Sequence, residues 1–341
     1  MLNTVYRLVA PGRIEVEFSD IDLLKEDVLV RPTHLSICHA DQRYFQGLRA
    51  TDILKQKLPM ALIHEAIGEI VWDPKGEFEA GERVVMIPNT PMEEDSVIAE
   101  NYLRTSKFRA SGFDGFMQDV VNMRRDRIVR VPRNINPFVA AFTELVSVSV
   151  HAIDRFDKIA HERRKTVGIW GDGNLGYITA IFFKAMFPEE KLCIFGLDEN
   201  KLSDFTFADD TFSITSIPDD LSIDHAFECV GGEGSPKAIN LIFDYINPEG
   251  TISILGVSEN PVAINTRMIL EKGLRMFGSS RSGRKDFEKT IALYQSNPEI
   301  VEYLQNIIGA TVNVHTVEDM KKAFELDRQN AFGKTIMIWN K

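Results

Sequence analysis

The chain changes its hydrophobic period once, near Pro137. Before that point apolar and polar residues alternate over short runs. Arg13-Ile-Glu-Val-Glu-Phe has the pattern of a half-buried strand, and Glu26-Asp-Val-Leu-Val-Arg-Pro resembles the next one. Ile67-Gly-Glu-Ile-Val-Trp and Glu82-Arg-Val-Val-Met-Ile-Pro predict two more, separated by turns at Pro74-Lys-Gly and Ala80-Gly. No ten-residue helical period occurs before Asp41, so this part reads as a β-rich domain and not as a βαβ repeat. Residues 89–115 are polar, irregular and longer than an ordinary loop, which predicts a lobe with a role of its own. The strand pattern resumes at Phe116-Met-Gln-Asp-Val-Val and at Ile128-Val-Arg-Val-Pro.

Beyond Pro137, residues 138–153 place apolar side chains at helical spacing, with Glu144 near the middle of the predicted helix. A short apolar run, 167–170, then leads into Gly171-Asp-Gly173-Asn-Leu-Gly176, a helix-patterned segment and a second strand, Lys191-Leu-Cys-Ile-Phe-Gly196. That order suits a dinucleotide: Gly171 permits a tight turn, Gly173 lets backbone approach a pyrophosphate, and Gly176 lets helix and strand pack closely. The helix N-terminus adds unpaired N–H groups and a positive dipole end. Three further buried strands end in glycines, where a ligand approaches: His225-Ala-Phe-Glu-Cys-Val-Gly-Gly, Gly250-Thr-Ile-Ser-Ile-Leu-Gly-Val and Leu274-Arg-Met-Phe-Gly-Ser-Ser. Asn174 and Leu175 in the turn, with Cys229, Val230, Gly256 and Val257 at strand ends, complete the candidate cofactor contacts. A helix over 285–295, a helical run from Asp319 and a last strand, Lys334-Thr-Ile-Met-Ile-Trp, follow. The expected fold is α/β: a β-rich domain (1–145 and 281–341) with an inserted Rossmann domain of doubly wound parallel sheet (146–280).

Composition narrows the classes. The 341 residues make two domains the natural prior, and a hydrophobic content of 44% is ample for packed cores. The net charge of −11, without a long basic tract, argues against a nucleic-acid surface. No basic region followed by an apolar core opens the chain, so no signal peptide is expected. The best apolar run, 140–150, carries Glu144, which argues against membrane insertion. Three cysteines, Cys38, Cys193 and Cys229, are no disulfide framework and suit a reducing cytoplasm.

A second constellation lies in the β-rich part: Ser36-Ile-Cys38-His39-Ala40-Asp41, Ile63-His64-Glu65-Ala66, and Glu144. A thiolate, an imidazole and a carboxylate make a plausible protein ligand set for catalytic zinc, with a fourth position open. Taken singly, Cys38 reads as a small buried hydrophobe and His64 as a hydrogen-bonded core residue. Glu144 resists that reading, because a carboxylate within an apolar helix is costly unless paired or metal-bound.

The whole chain resembles the zinc-containing medium-chain dehydrogenase/reductase family, and within it the ribulose-5-phosphate reductases of bacterial surface-polymer synthesis. The matching stretches are Ser36-Ile-Cys-His-Ala-Asp-Gln-Arg-Tyr, Leu58-Pro-Met-Ala-Leu-Ile-His-Glu, Asp114-Gly-Phe-Met-Gln-Asp, Gly168-Ile-Trp-Gly-Asp-Gly-Asn-Leu-Gly-Tyr, Phe227-Glu-Cys-Val-Gly-Gly and Gly278-Ser-Ser-Arg-Ser-Gly. The resemblance implies a GroES-like catalytic domain in which Cys38, His64 and Glu144 bind zinc. It implies for Glu65 a place beside the metal, either swinging onto it or orienting its ligands.

Three departures from the broader family matter. Residues 89–115 contain no cysteine, which excludes the four-cysteine structural zinc of many members. Ala40 replaces the Ser or Thr whose hydroxyl relays a proton in alcohol dehydrogenases; water near Glu65, or His39, becomes the candidate route. NAD-specific members end the second Rossmann strand with an acid, whereas the register of the following helix puts Gly196 there. A glycine removes the carboxylate that would repel a 2′-phosphate, and Lys201 offers a cation, so NADP(H) is expected. A shifted register would instead make Asp198 the NAD-type acid.

By resemblance, the reaction is zinc-assisted reduction of ribulose 5-phosphate to ribitol 5-phosphate by NADPH, feeding CDP-ribitol and teichoic-acid-type polymers. Arg43, Arg49 and Arg281 are candidates for the substrate phosphate, or else solvated surface arginines. The resemblance also implies a homodimer through the Rossmann sheet edge near 250–265, and association with a ribitol-5-phosphate cytidylyltransferase. On sequence alone three alternatives stay open: a dehydrogenase of another polyol, a zinc-free quinone-reductase-like enzyme, and a non-catalytic NADP-binding sensor.

Overall fold

The computed structural model of the chain describes residues 1–23, 27–330 and 332–341. They divide into two compact units, Met1–Ser147 with Ser282–Lys341, and Val148–Arg281. Among the described residues no helix is long and apolar enough to cross a membrane.

The first unit is built on a seven-stranded sheet. Its central path runs Ile128–Arg130, Arg83–Met86, Glu65–Trp72, Val28–Ser36, Lys334–Trp339, Ile308–Val314, and Val121–Met123 pairs with Val28–Ser36 from outside that path. A smaller sheet joins Arg13–Asp20, Leu2–Ala10 and Met60–Ala61. Tyr6 stands edge-on to Trp339, with ring centroids 5.4 Å apart, and both lie in a core that includes Val30, Phe116 and Phe324. The register explains why this sheet carries chemistry. Ser36 pairs with Glu65 on one side and with Ile336 on the other. The segments just beyond these partners therefore converge at one sheet end: Cys38, His64 and Lys334.

Several elements differ from the sequence reading. The strand expected from Glu26 begins at Val28, and Glu26 lies outside the described residues. The strand expected over 116–121 is not one: the Phe116 and Met117 N–H groups donate to Ile63 and Leu62 carbonyls, Gln118 only bridges Val5, and the true strand is Val121–Met123. The single helix expected over 138–153 is two, Pro137–Ala141 and Thr143–Ile159, broken at Phe142 (φ −103°, ψ 24°). The Thr143 hydroxyl donates to the Ala140 carbonyl at that break. Glu144 consequently stands in the first turn of the second helix and not in mid-helix, a position where the helix dipole favours a carboxylate.

The second unit holds six parallel strands in the order Asp210–Ser213, Lys191–Gly196, Thr166–Trp170, Ile223–Glu228, Ile246–Ile254, Arg275–Gly278. The order reverses direction beside Thr166–Trp170, the switch point at which open α/β sheets bind ligands. Trp170 stacks on Phe195 at 3.8 Å between centroids, so the first two strands are also joined through their aromatic rings.

Candidate active site

Cys38 caps the helix His39–Phe45 immediately after the strand Val28–Ser36. One buried carboxylate, Asp41, ties it to the opposite loop. Asp41 Oδ2 accepts from the Cys38 N–H (3.2 Å) and lies 3.4 Å from His64 Nδ1, while Oδ1 accepts from the Ile63 N–H (3.0 Å). With Nδ1 turned to Asp41, His64 Nε2 is the nitrogen left to bind a metal. Ile63 adopts a left-handed conformation (φ 71°) although it is β-branched and fully buried, a strain of about 1–3 kcal/mol. The Asp41 contact and the Phe116 N–H on its carbonyl (2.7 Å) hold it there and fix where His64 begins.

The donor atoms of Cys38, His64 and Glu65 lie within 4.8 Å of one another. Glu144 does not join that set, although it is buried and within electrostatic reach of His64, Glu65 and Lys334. Burial, with Glu65 and Asp41 nearby, pushes the Glu144 carboxyl up to about 7 against the pull of His64 and Lys334. Glu65 is fully buried. Its Oε1 accepts from Lys334 Nζ (2.9 Å), and its buried Oε2 has no hydrogen-bond partner among the described residues. Burial works against charge on Lys334, but Glu65 and Cys38 outweigh it and hold the proton.

This arrangement fits zinc. Cys38, Asp41, Glu65 and Glu144 are acidic groups gathered around His64 and the Lys334 ammonium, and the orphaned Glu65 oxygen lacks the partner a buried carboxylate requires. A divalent cation supplies both the missing charge and the missing partner. Asp41 and Lys334 were given no role by sequence reasoning. Asp41 carries a faint signal, standing three residues after Cys38 as a capping acid does; Lys334 carries none.

Protein contacts shape the lobe of residues 89–115. Asn89–Thr90 pairs with Lys107–Phe108, and Arg127 donates to Glu100 (2.7 Å). His39 is exposed. Arg43 and Arg49 lie half-buried beyond Cys38, whereas Arg281 (φ 59°) is the last residue of the other unit.

In the second unit the glycine turn forms a nucleotide cradle. Gly171 takes φ 126°, and a Cβ on Gly176 would lie 1.9 Å from the Gly171 carbonyl oxygen, so neither tolerates a side chain. A Cβ on Gly173, the N-cap of helix Asn174–Met186, would meet nothing within 4 Å, which leaves its backbone open to a ligand. Gly196 does end its strand, with a packing reason of its own: a Cβ there would lie 2.7 Å from the Asp172 side chain. Asp172 Oδ2 accepts from the Leu197 and Asp198 N–H groups (2.7 and 2.8 Å). Asp198 caps the helix Glu199–Ser203 by accepting from Asn200 (2.9 Å), and Lys201 lies in that helix. Glu228, fully buried, accepts from the Val230 and Gly231 N–H groups (3.1 and 2.8 Å) and so shapes the Cys229–Val230 strand end. A Cβ on Gly256 would touch the same carboxylate at 2.7 Å, and the Val257 carbonyl accepts from Gly232 (2.9 Å).

A GroES-like sheet carrying a thiolate–imidazole–carboxylate cluster, together with a nucleotide-binding parallel sheet, defines a class of dehydrogenase. Residues 24–133 match the alcohol dehydrogenase GroES-like domain, residues 200–296 match the zinc-binding dehydrogenase domain, and the chain belongs to that family. It is 54% identical over 339 residues, 99% of each chain, to ribulose-5-phosphate reductase 2 of Staphylococcus aureus. It is 52% identical, again over 99% of each chain, to ribulose-5-phosphate reductase of Bacillus spizizenii. The crystal structure of S. aureus TarJ in complex with NADPH superposes with a TM-score of 0.90 at 49% identity, covering 100% of both chains.

Proposed function

We propose that the chain reduces the C2 ketone of D-ribulose 5-phosphate to D-ribitol 5-phosphate with NADPH and one bound zinc. The observation that carries this reading is identity above one half, across 99% of each chain, to proteins named for that reduction. The donor set, in which His64 and Glu65 are buried and Cys38 is half-buried, supports it independently of any name.

Cys38 and His64, with the carboxylates Glu65 and Glu144, are the residues that would hold the zinc. Zinc at this position supplies a Lewis acid for a carbonyl, and NADPH supplies the hydride. The protein's own part is positional. Asp41 fixes the His64 ring and the Cys38 turn, so the donors meet the metal without reorganisation. Lys334 offsets the Glu65 charge and holds one of its oxygens in a hydrogen bond. In the other unit, Gly171, Gly173, Asn174, Leu175 and Gly176 offer backbone to the pyrophosphate, and the strand ends with Cys229, Val230, Gly256 and Val257 line the cofactor. Gly196 and Lys201 accommodate the 2′-phosphate: Asp172 and Asp198 both spend carboxylate oxygens on backbone N–H groups there.

The test is NADPH oxidation with ribulose 5-phosphate, on zinc-replete and chelator-treated protein, with NADH as control. Turnover that needs zinc and prefers NADPH is expected. Activity that survives removal of all bound zinc sinks the metal reading; no turnover with any ketose phosphate sinks the reductase reading.

We also read the chain as a cytoplasmic homodimer that associates with a ribitol-5-phosphate cytidylyltransferase. Three free cysteines support the compartment. For the dimer, Arg275–Gly278 is an edge strand, and Leu270 (81% exposed) stands near it in sequence. Light scattering on the isolated chain is expected to give twice 38.6 kDa, and a monomer would refute the pairing.

A further inference from the structure

Two residues compete in the sequence for the end of the second Rossmann strand. Gly196 suits a 2′-phosphate, whereas Asp198 would hold the ribose hydroxyls of the unphosphorylated cofactor. Parallel pairing on both sides fixes the register. Phe195 pairs with Trp170 and Gly196 with Ser213, so Gly196 ends the ladder and Asp198 lies two residues beyond it. One side chain of the glycine turn acts on both positions. We propose that Asp172 is a specificity-determining residue for the cofactor, favouring NADPH over NADH by keeping a ribose-binding acid from this strand end. This rests on the NADPH reading given above.

Asp172 first fills the space in front of Gly196. A Cβ on Gly196 would lie 2.7 Å from both Asp172 Cβ and Oδ2, and 2.9 Å from Cγ. Asp172 Cβ is bonded directly to the backbone, so no change of rotamer moves it aside. That backbone is itself held. The Gly171 N–H donates to the Phe195 carbonyl (2.9 Å), and the Gly173 carbonyl accepts from the Tyr177 N–H (2.9 Å) as helix Asn174–Met186 begins. An aspartate or glutamate at 196, the residue that serves NAD, therefore has no room for its first side-chain carbon while Asp172 is present.

Asp172 next commits Asp198. Its Oδ2 accepts from the Leu197 and Asp198 N–H groups at 2.7 and 2.8 Å, charge-assisted bonds that fix the backbone just past the strand. From there the Asp198 carboxylate caps helix Glu199–Ser203, accepting from the Asn200 N–H (2.9 Å). A carboxylate bonded to its own helix is withdrawn from a ribose hydroxyl. The charge of Asp172 is likewise spent on two N–H dipoles, which weakens its repulsion of a phosphate. One side chain thus excludes an acid at 196 and occupies the acid at 198.

The experiment is fluorescence titration with NADPH and with NADH, which needs no ketose and is independent of the substrate. It compares the wild type with Asp172→Ala, Asp172→Asn, Gly196→Asp and the double variant Asp172→Gly with Gly196→Asp. The preference for NADPH, as a ratio of Kd values, is expected to fall about 10-fold or more in Asp172→Ala. Asp172→Asn, whose amide oxygen still accepts, is expected to stay near the wild type. Gly196→Asp alone is expected to bind both cofactors at least about 10-fold more weakly, and the double variant to recover NADH binding and prefer it. An unchanged ratio in Asp172→Ala, or equal weakening of both cofactors, overturns the proposal. So does a rise in NADPH preference in either single Asp172 variant, which would make the carboxylate an obstacle to the phosphate. Gly196→Asp that takes NADH as readily as the double variant overturns it too; if Gly196→Asp does not fold, Asp172→Ala decides. A wild type that binds NADH as tightly as NADPH sinks the cofactor reading and this proposal with it.

Discussion

Cys38→Ser is expected to lower kcat/KM for ribulose 5-phosphate by at least about 10³-fold, equivalent to about 4 kcal/mol of transition-state stabilisation. Bound zinc, measured on purified protein, is expected to fall in parallel. The reason lies in the donor set. Cys38 supplies the only sulfur among three donors within 4.8 Å, and a serine hydroxyl keeps its proton at neutral pH where a thiol beside a metal does not. The loss is not one of folding: serine is a favoured N-cap residue, and the Asp41 contact is to the Cys38 N–H, which serine retains. Cys193→Ser is the control, since Cys193 is buried in the parallel sheet of the other unit. It is expected to keep its zinc. A Cys38→Ser protein that retains full zinc and activity would remove the thiolate from the metal site.

The same site shows how far sequence reasoning reaches. Cys38 and His64 were legible as ligand types only when taken together with Glu144, and Glu65 entered through the family resemblance. Their meeting was not legible, because it depends on Ser36 pairing with Glu65 in one particular register. Lys334 was wholly hidden: it lies 269 residues from the carboxylate it binds, in a strand that reads as ordinary core. The break at Phe142 was hidden for a different reason. Phe142 is itself fully buried, so the apolar period runs through the interruption undisturbed, and only the backbone angles reveal it. That single break moves Glu144 from mid-helix to a helix start. The strand Leu2–Ala10 escaped notice because Val5 and Tyr6 are both buried, which spoils the alternation by which a strand is recognised. By contrast the glycine turn was readable in detail, since 1.9 Å and φ 126° are constraints that only glycine meets, and such constraints are written directly in the sequence. Gly196 was readable in place, but its second constraint was not: the close neighbour it accommodates is Asp172, a residue of the turn itself.

Lys334→Met is expected to destabilise the zinc-free protein by about 3 kcal/mol or more, and to destabilise the zinc-loaded protein much less. Lys334 and Glu65 are both buried, with side chains 4% and 0% exposed, and they meet at 2.9 Å. Deleting the ammonium leaves a buried carboxylate with neither oxygen satisfied, since Oε2 has no partner to begin with. Without metal, that charge is stranded. With metal, the carboxylate has somewhere to go: freed from Lys334, Glu65 turns fully to the cation, and the stabilisation conferred by zinc grows. Urea unfolding in chelator and in excess zinc measures both quantities, and zinc release to a chromogenic chelator reads the second directly. Release is expected to slow in Lys334→Met, while Lys334→Arg, which keeps a cation on Glu65, is expected to behave as the wild type does. An equal loss of stability with and without zinc would mean that Lys334 serves packing alone. Slower release would mean that the buried lysine competes with the metal for Glu65, and that the strand closing the sheet sets how firmly the metal is held.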